Sequence, residues 1–243
     1  MKKDSGAFLS SLAVASSGLG LFVLLILSCQ KESPTLTPSS PSTSASLSFV
    51  EEFDTVANLG SKGWQIINKS EPFGSYAWRQ GRYELGGKYG NEVFGFAAYS
   101  AVYNPNEFIS ADLNACKNLG TISCWLITRI LTVKNGDVLS FYTRTHGDYP
   151  DRLEVRGNFT TSQIELGNSS ESTGDFSTLL LTINPDLTPQ GYPTSWTPYS
   201  IVFSGLSGVV QARIGFRYYV TRGGPGGDNS DMIGLDKLEF ISK

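Results

Sequence analysis

The strongest constraint on the fold comes from consecutive runs of apolar and alternating residues that are typical of β-strands. Residues 125–133 are apolar and rich in β-branched and aromatic types, which predicts a strand buried over most of its length. Residues 138–143 alternate between two faces, and residues 152–156 form a third short extended run. Asn135 and Gly136 predict a tight turn, because glycine adopts the positive φ angles that such turns require. The region shows no helical period and therefore predicts an all-β domain.

A second long strand is predicted at residues 209–221, where every second residue is apolar. The apolar face consists of Val210, Ala212, Ile214, Phe216, Tyr218 and Val220. The opposite face carries Arg213 and Arg217, and we expect it to be the polar, outward face. Shorter runs predict further strands at residues 47–53, 96–102, 162–166, 179–183, 199–203 and 233–241.

The amino terminus predicts export and lipid attachment. Lys2 and Lys3 precede an apolar run at residues 19–27, which has the length of a signal-peptide core and is short for a membrane span. The run ends in Ile-Leu-Ser before Cys29, which resembles the lipobox of bacterial lipoproteins. We therefore expect residues 1–28 to be a lipoprotein signal peptide and Cys29 to anchor the chain to a membrane through acyl groups. The alternative is an uncleaved anchor with an incidental cysteine.

The segment after the cysteine predicts a tether. Residues 29–46 are mostly Ser, Thr and Pro, with almost nothing apolar to bury, so we expect an extended, solvated segment before a folded domain at residues 47–243. Gln30, Lys31 and Glu32 resemble the short surface-export signal of Bacteroidota lipoproteins. This resemblance implies an outer-membrane lipoprotein exposed at the cell surface, although three residues leave a periplasmic orientation open.

Length and charge narrow the classes of function. A chain of 243 residues suits one all-β domain with appendages, and we expect that domain to be monomeric. The net charge of −3 argues against a nucleic-acid partner, because such proteins usually carry a basic patch.

Two cysteines of the folded part predict a crosslink. Cys116 and Cys124 flank a short loop in the sequence, and cysteines that lie close together in an oxidising compartment usually pair. Their disulfide would stabilise the fold by roughly 2–3 kcal/mol in the chain-entropy model. A metal site at these cysteines is less favoured, because no further soft ligand lies near them and the sole histidine is His146.

Several short motifs occur in an order that resembles choice-of-anchor J domains, which include the cleaved-adhesin modules of secreted bacterial surface proteins. The motifs lie at residues 53–54, 63–64, 76–78, 125–128, 135–136, 139–141, 152–155, 196–202, 214–218 and 233–238. Each motif alone has modest specificity, but together they extend over residues 50–240. The resemblance implies a jelly-roll β-sandwich of two antiparallel sheets with a binding or adhesive role.

The resemblance also points to a structural calcium ion. Modules of this type often use one ion to join an early strand to the last strand, which implicates Asp54 and Asp236, with Glu52 as an assisting ligand. Calcium requires six to eight oxygen ligands from carboxylates and carbonyl groups. The alternative is that these residues are ordinary turn or surface carboxylates.

Ligand-binding aromatics are expected in a long proline-rich loop at residues 184–198. Tyr192, between Gly and Pro, is predicted to be exposed. Trp196 is predicted either to bind the ligand or to belong to the core. The ligand class is a glycan or an extracellular protein.

The sequence favours a non-catalytic module over an enzyme. His146 is the sole histidine available to a hydrolase triad, and no Ser occupies a Gly-x-Ser-x-Gly motif. A glycan-degrading hydrolase that uses two carboxylates stays open as an alternative, as does a structural subunit of a surface assembly.

Overall fold

The computed structural model describes residues 47–85 and 93–243. The predicted signal peptide, the tether and Cys29 lie outside the described residues. Within those two ranges, none of the helices has the length and apolar character needed to cross a membrane.

The described residues form two antiparallel sheets that pack face to face. The strands are β1 Phe49–Glu51, β2 Gln65–Asn68, β3 Glu71–Phe73, β4 Arg79–Gln80, β5 Tyr83–Leu85, β6 Val93–Gly95, β7 Ile109–Asp112, β8 Cys116–Ile127, β9 Leu131–Val133, β10 Val138–Thr145, β11 Leu153–Asn158, β12 Thr178–Ile183, β13 Thr197–Val202, β14 Val210–Gly223 and β15 Met232–Ile241. Single 3-10 turns lie at Val56–Asn58, Gly60–Lys62 and Leu113–Ala115.

The strand order confirms the predicted all-β sandwich of the jelly-roll type. One sheet has the order β13-β10-β15-β7-β4, and β1 also pairs with β15. The second sheet has the order β12-β11-β14-β8-β2, to which β3 is added through β8 and β9 through β14. Strands β5 and β6 form a separate two-stranded sheet. Strands distant in sequence thus become neighbours, which brings residues from both ends of the domain together.

The core lies between the two sheets and follows from the alternation of β14. Ala212, Ile214 and Phe216 are completely buried, as their shared apolar face predicts. Phe216 meets Phe141 of β10 across the interface, with ring centroids 5.1 Å apart in an edge-to-face arrangement. These contacts join the long central strand of one sheet to the other sheet.

The predicted strand at residues 125–133 is divided into two. Strand β8 ends at Ile127, and β9 pairs with a different part of β14. Thr128 lies at the break and is buried, and its hydroxyl is satisfied there by a hydrogen bond from the Ile214 backbone amide at 3.0 Å. An apolar run alone does not show such a break, since both pieces are buried.

The strand predictions at residues 96–102 and 162–166 are wrong. Both segments are irregular, and each places apolar side chains on the outer face of a sheet. Phe96 packs with Phe108 and Met232, while Leu166 packs with Trp125 and Phe176. Burial against a sheet face, rather than pairing at a sheet edge, explains the apolar character of these segments.

The outer face of β14 is also more buried than its polar residues predict. Arg217 is 1 % exposed and forms an ion pair with Glu154 at 3.1 Å. Its guanidinium also donates to the hydroxyl of Ser123 and lies over the ring of Tyr219, 3.7 Å from the centroid. A further hydrogen bond to the backbone carbonyl of Ser170 ties the irregular segment after β11 to this face.

Candidate functional site

The predicted calcium ligands lie where the chain after β1 approaches β15. Ser100 joins two of them, because its hydroxyl is 2.5 Å from Glu52 Oε2 and 3.4 Å from Asp236 Oδ1. The Asp236 carboxylate also accepts backbone N–H groups from Tyr99 at 2.8 Å and from Lys237 at 2.7 Å. The structure therefore brings Glu52 and Asp236 together around one hydroxyl, while Asp54 lies exposed on the turn that follows.

We define the acidic cluster as Glu52, Asp54, Glu107 and Asp236, of which Asp54 and Asp236 have raised pKa values, while backbone hydrogen bonds from Tyr103 and Val102 lower the pKa of Glu107. Burial raises the pKa of Asp236 to about 6, although several backbone hydrogen bonds favour its charged form. Partial burial raises the pKa of Asp54, and the charges of Glu107 and Glu52 add to the rise. The cluster thus concentrates negative charge that a cation would neutralise.

Three backbone carbonyl groups close to this cluster already have a donor. The Gln80 amide nitrogen lies 3.0 Å from the carbonyl oxygen of Phe53, 2.7 Å from that of Asn106 and 3.1 Å from that of Phe108. Its side-chain oxygen accepts the Val56 backbone amide at 2.9 Å. These hydrogen bonds hold the backbone on both sides of Glu107 and the residue between Glu52 and Asp54 in place.

Alternation with Leu235 directs Asp236 away from the core, and a bulge in β15 directly after it returns Leu238 to the core. The register between β10 and β15 shifts there, and Lys237 has a φ of 47°. The sequence contains the signal, since apolar residues at 233 and 235 are followed by apolar residues at 238 and 240, out of phase by one position. Without the bulge, Leu238 would point away from the core.

The prediction that Tyr192 is exposed and available to a ligand is wrong. It is 2 % exposed, and its hydroxyl lies 2.7 Å from the hydroxyl of Thr143 on β10. The proline-rich loop is held against the end of β10, where the Thr145 backbone amide donates to the Pro193 carbonyl at 2.8 Å. Since the loop folds back onto the strand, Tyr192 completes the core instead of facing solvent.

Trp196 is half-buried and belongs to a small apolar cluster. Its ring packs edge-to-face against Phe96 and Phe108, with centroids 5.5 and 5.6 Å away. The indole N–H donates to the Ala97 carbonyl at 2.9 Å. These contacts favour the core role over a free stacking surface.

The predicted disulfide between Cys116 and Cys124 is also wrong, because both are buried free thiols. They lie on the same strand, β8, where Phe73 is opposite Cys116 and Asn68 is opposite Cys124. An extended strand advances about 3.3 Å per residue, so residues this far apart on it do not reach the ~4.4–6.8 Å between Cα atoms that a disulfide requires.

An exposed aromatic residue that the sequence did not single out lies at the end of β3. Phe73 is 66 % exposed and lines a cavity of about 320 Å³. The other lining residues are mostly polar or small, namely Gly74, Ser75, Asn114, Cys116, Lys117, Asn118 and Pro225. We refer to this feature as the Phe73 pocket.

The walls of the Phe73 pocket are fixed by backbone hydrogen bonds. The amide of Gly74 donates to the Ala115 carbonyl at 3.1 Å, and the amide of Ser75 donates to the Asn114 carbonyl at 2.9 Å. On the other side, Asn118 has a φ of 59° and its carbonyl accepts the Gly226 amide at 3.4 Å. A pocket with walls held in this way is pre-formed, which lowers the entropy lost on binding.

A larger groove of about 550 Å³ lies beside β2 and β4, but its aromatic residues are not available for stacking. Trp64 and Trp78 line it, yet they are 2 % and 3 % exposed. Gln80 is held by the hydrogen bonds described above, and Arg79 pairs with Asp112. The Phe73 pocket is therefore the better candidate for a ligand site.

No protein-family model matches the sequence, and no curated protein matches it. Among solved structures, the chain is similar to the K1 cleaved adhesin domain of Lys-gingipain from Porphyromonas gingivalis W83. The TM-score is 0.47 and the identity 17 %, over 81 % of this chain and 98 % of that domain. It is also similar to a structure of promiscuous carbohydrate-binding modules from the β-sandwich superfamily, with a TM-score of 0.40 and 9 % identity over 78 % of this chain and 59 % of that one.

A third similar structure is the module TmCBM61 in complex with β-1,4-galactotriose, with a TM-score of 0.36 and 8 % identity over 79 % of this chain and 99 % of that one. The neighbours thus include cleaved adhesin domains, as the motif order led us to expect. At these scores the likeness concerns the sandwich fold and supports no inference about ligand or activity. The narrower assignment to choice-of-anchor J stays a prediction.

Proposed function

We propose that this protein is a non-catalytic binding module, held at the outer surface of the cell by a lipid on Cys29, and that its ligand is a glycan. One observation carries the proposal. Phe73 exposes most of its ring beside a pre-formed pocket whose walls carry amide, ammonium and hydroxyl groups. The proposed module is a monomer.

The chemistry of the Phe73 pocket suits a sugar ring. Sugars present an apolar face of C–H groups and an edge of hydroxyl groups, so an aromatic ring and side-chain amides recognise them together. Asn114 and Asn118 each carry both a donor and an acceptor, while Lys117 carries donors only. The volume is at the small end of the roughly 300–1,000 Å³ range of ligand sites. A protein partner would instead require a broad surface patch.

A glycan array probed with the full-length chain tests the proposal. Phe73→Ala should weaken binding roughly two- to tenfold, which corresponds to the ~0.5–1.5 kcal/mol expected for a ring contact. Tyr103→Ala is the matched control, because Tyr103 is a 93 % exposed aromatic residue outside the pocket. Binding that Phe73→Ala leaves intact would contradict the assigned site. Silence across the array would favour a structural subunit, and release of shorter sugars would favour a hydrolase.

The proposed lipid attachment and cell-surface location of the module are tested separately. Cells that express the chain should incorporate labelled fatty acid into it, and Cys29→Ala should abolish the label. Protease added to intact cells should degrade the lipidated chain, because the tether places the domain outside. A chain that is labelled but protected from protease would place the anchor in the periplasm instead.

We also propose that the acidic cluster binds one Ca²⁺, with Glu52, Asp54 and Asp236 as carboxylate ligands. The support is the shared Ser100 hydroxyl and the mutual charge repulsion described above. Calcium that binds only the native state raises the melting temperature, so an excess of chelator should lower it by several degrees. Glu52→Gln should remove this difference, and equal melting of the parent chain with and without chelator would contradict the proposal.

A further inference from the structure

The sole histidine of the chain lies beside two carboxylates that the sequence separates widely. His146 follows β10 directly, Asp148 lies in the next turn, and Asp231 immediately precedes β15. His146 Nδ1 is 3.2 Å from Asp148 Oδ2 and 3.3 Å from Asp231 Oδ2. The three ligand atoms all lie within 4.8 Å of one another. Antiparallel pairing of β10 with β15 brings them together, since Thr145 is opposite Ile233.

These distances match those between ligands of one tetrahedral metal ion. Zinc binds imidazole nitrogen and carboxylate oxygen at about 2.0–2.1 Å, so two such ligands at a tetrahedral angle lie about 3.3 Å apart. Both distances from the imidazole nitrogen agree with this value. The Asp148 side chain is 70 % exposed and therefore has room to adjust its position when an ion binds.

The backbone holds the three residues in place. The His146 amide donates to the Met232 carbonyl at 3.0 Å, and the Asp148 amide donates to Asp231 Oδ2 at 3.1 Å. Asp231 is itself fixed, because its amide donates to Asp151 Oδ1 at 2.9 Å. The turn after β10 and the loop before β15 are therefore joined already. Fixed ligands lose little conformational freedom when they bind an ion.

The ligand types select the metal. An imidazole nitrogen together with carboxylate oxygens suits Zn²⁺ and its neighbours among the divalent transition metals, whereas Ca²⁺ and Mg²⁺ prefer oxygen ligands alone. His146 and Asp148 are partly exposed, which leaves a further coordination position accessible from solvent. We propose that His146, Asp148 and Asp231 form a binding site for one divalent transition metal ion of the Zn²⁺ class. The site is separate from both the acidic cluster and the Phe73 pocket.

The ion would fasten the glycine-rich loop at residues 224–230 to the turn after β10. Asp231 closes this loop, and Asp148 belongs to the turn. Within the described residues, the loop is connected to that turn by the Ser230 amide, which donates to the Pro150 carbonyl at 2.9 Å, and by the contacts of Asp231. A metal bridge would add a further connection at the same place.

Calorimetric titration of the full-length chain with ZnCl₂ at neutral pH tests the site. The parent for all variants carries Cys29→Ser, so that its thiol does not compete for the metal. One ion should bind per chain, and His146→Asn should weaken binding by at least about tenfold. Asp228→Asn is the matched control, because Asp228 lies on the same loop but pairs with Arg222. Absence of binding by the parent, or equal affinity of the parent and the His146→Asn variant, would overturn the proposal.

Nuclear magnetic resonance provides a readout that does not depend on any variant folding. The chain has a single histidine, so its imidazole gives one set of side-chain signals. Zn²⁺ should shift these signals in a saturable manner, and Ca²⁺ at the same concentration should leave them in place. Imidazole signals that do not respond to Zn²⁺ would show that the three residues contact one another without a metal, which would also overturn the proposal.

Discussion

Removal of the buried charge of Arg217 should be among the more damaging single changes to the stability of the fold. Its guanidinium is the partner of Glu154, which is itself 7 % exposed, so Arg217→Met leaves a buried carboxylate with less compensation. Breaking a buried ion pair from one side destabilises a protein by about 3–5 kcal/mol. In a domain of this size, that loss corresponds to a fall in melting temperature of roughly 6–20 °C. Denaturant unfolding followed by tryptophan fluorescence measures the change directly.

A double-mutant cycle separates the ion pair from the packing of the arginine stem. The variant with both Arg217→Met and Glu154→Leu should be more stable than Arg217→Met alone, because the buried carboxylate that lost its partner is then absent. Arg156 also pairs with Glu154, but it has access to solvent on the same face. Arg222→Met is the matched control, since the side chains of Arg222 and its partner Asp228 are both 67 % exposed. This variant should change the free energy of unfolding by no more than about 0.5 kcal/mol.

The same pair predicts a dependence on pH. Burial opposes the charge of Glu154, but the hydrogen bond from Arg156 and the charge of Arg217 outweigh it, so the pKa of Glu154 is lower than its ordinary value of 4.5. A lowered carboxyl pKa stabilises the native state above pH 4.5, and this contribution is lost as the pH falls through the native value. The difference in the free energy of unfolding between the parent and Arg217→Met should therefore become smaller in acid. Two results would refute the reasoning. One is that the effects of Arg217→Met and Glu154→Leu on the free energy of unfolding simply add in the double variant. The other is that Arg217→Met alone lowers this free energy by less than about 1 kcal/mol.

Three further changes test the core and the corrected assignments. Cys124 should react with a thiol reagent only after unfolding, because burial raises its pKa to about 12, and rapid labelling of the native chain would contradict this. Tyr192→Phe should lower the free energy of unfolding by about 1 kcal/mol through loss of its buried hydrogen bond, and no loss would contradict its core role. Gly224→Ala should lower it by more than about 2 kcal/mol, because Gly224 has a φ of 92° and a Cβ would lie 1.8 Å from the Asn118 carbonyl oxygen. Gly60→Ala, where a Cβ meets nothing within 4 Å, should be neutral or slightly stabilising.

The sequence predicted the sandwich because strand alternation reports the direction of each side chain. Along β14 every second residue was assigned to the core, and Ile214, Phe216 and Tyr218 are completely buried. Alternation does not report what covers the other face, and so it did not indicate that Arg217 is buried. Alternation also does not apply to loops. The neighbours of Tyr192 in sequence predict that it is exposed, whereas it is buried against Thr143, which is distant in the chain.

The sites were less predictable because their residues come from different parts of the chain. Cys116 and Cys124 are close in sequence, but a strand keeps them apart. His146 and Asp231 are distant in sequence, but two paired strands bring them together. Proximity in sequence therefore predicts the wrong partner for Cys116, and it does not indicate that Asp231 is a neighbour of His146. Only the strand pairing, which a single sequence does not contain, resolves both.

One site residue could have been placed from the sequence by a closer use of the same alternation. The apolar residues of β15 change phase between Leu235 and Leu238, and a phase change of one position in a strand that is buried on one face requires a bulge. Alternation with Leu235 directs Asp236 outward, and a bulge at residues 237–238 returns Leu238 to the core. Burial raises its pKa to about 6, while backbone amides that include those of Tyr99 and Ser100 oppose the rise, and strand periodicity predicts neither effect. The direction of a strand residue can thus be predicted from sequence, whereas its electrostatic environment requires the tertiary structure.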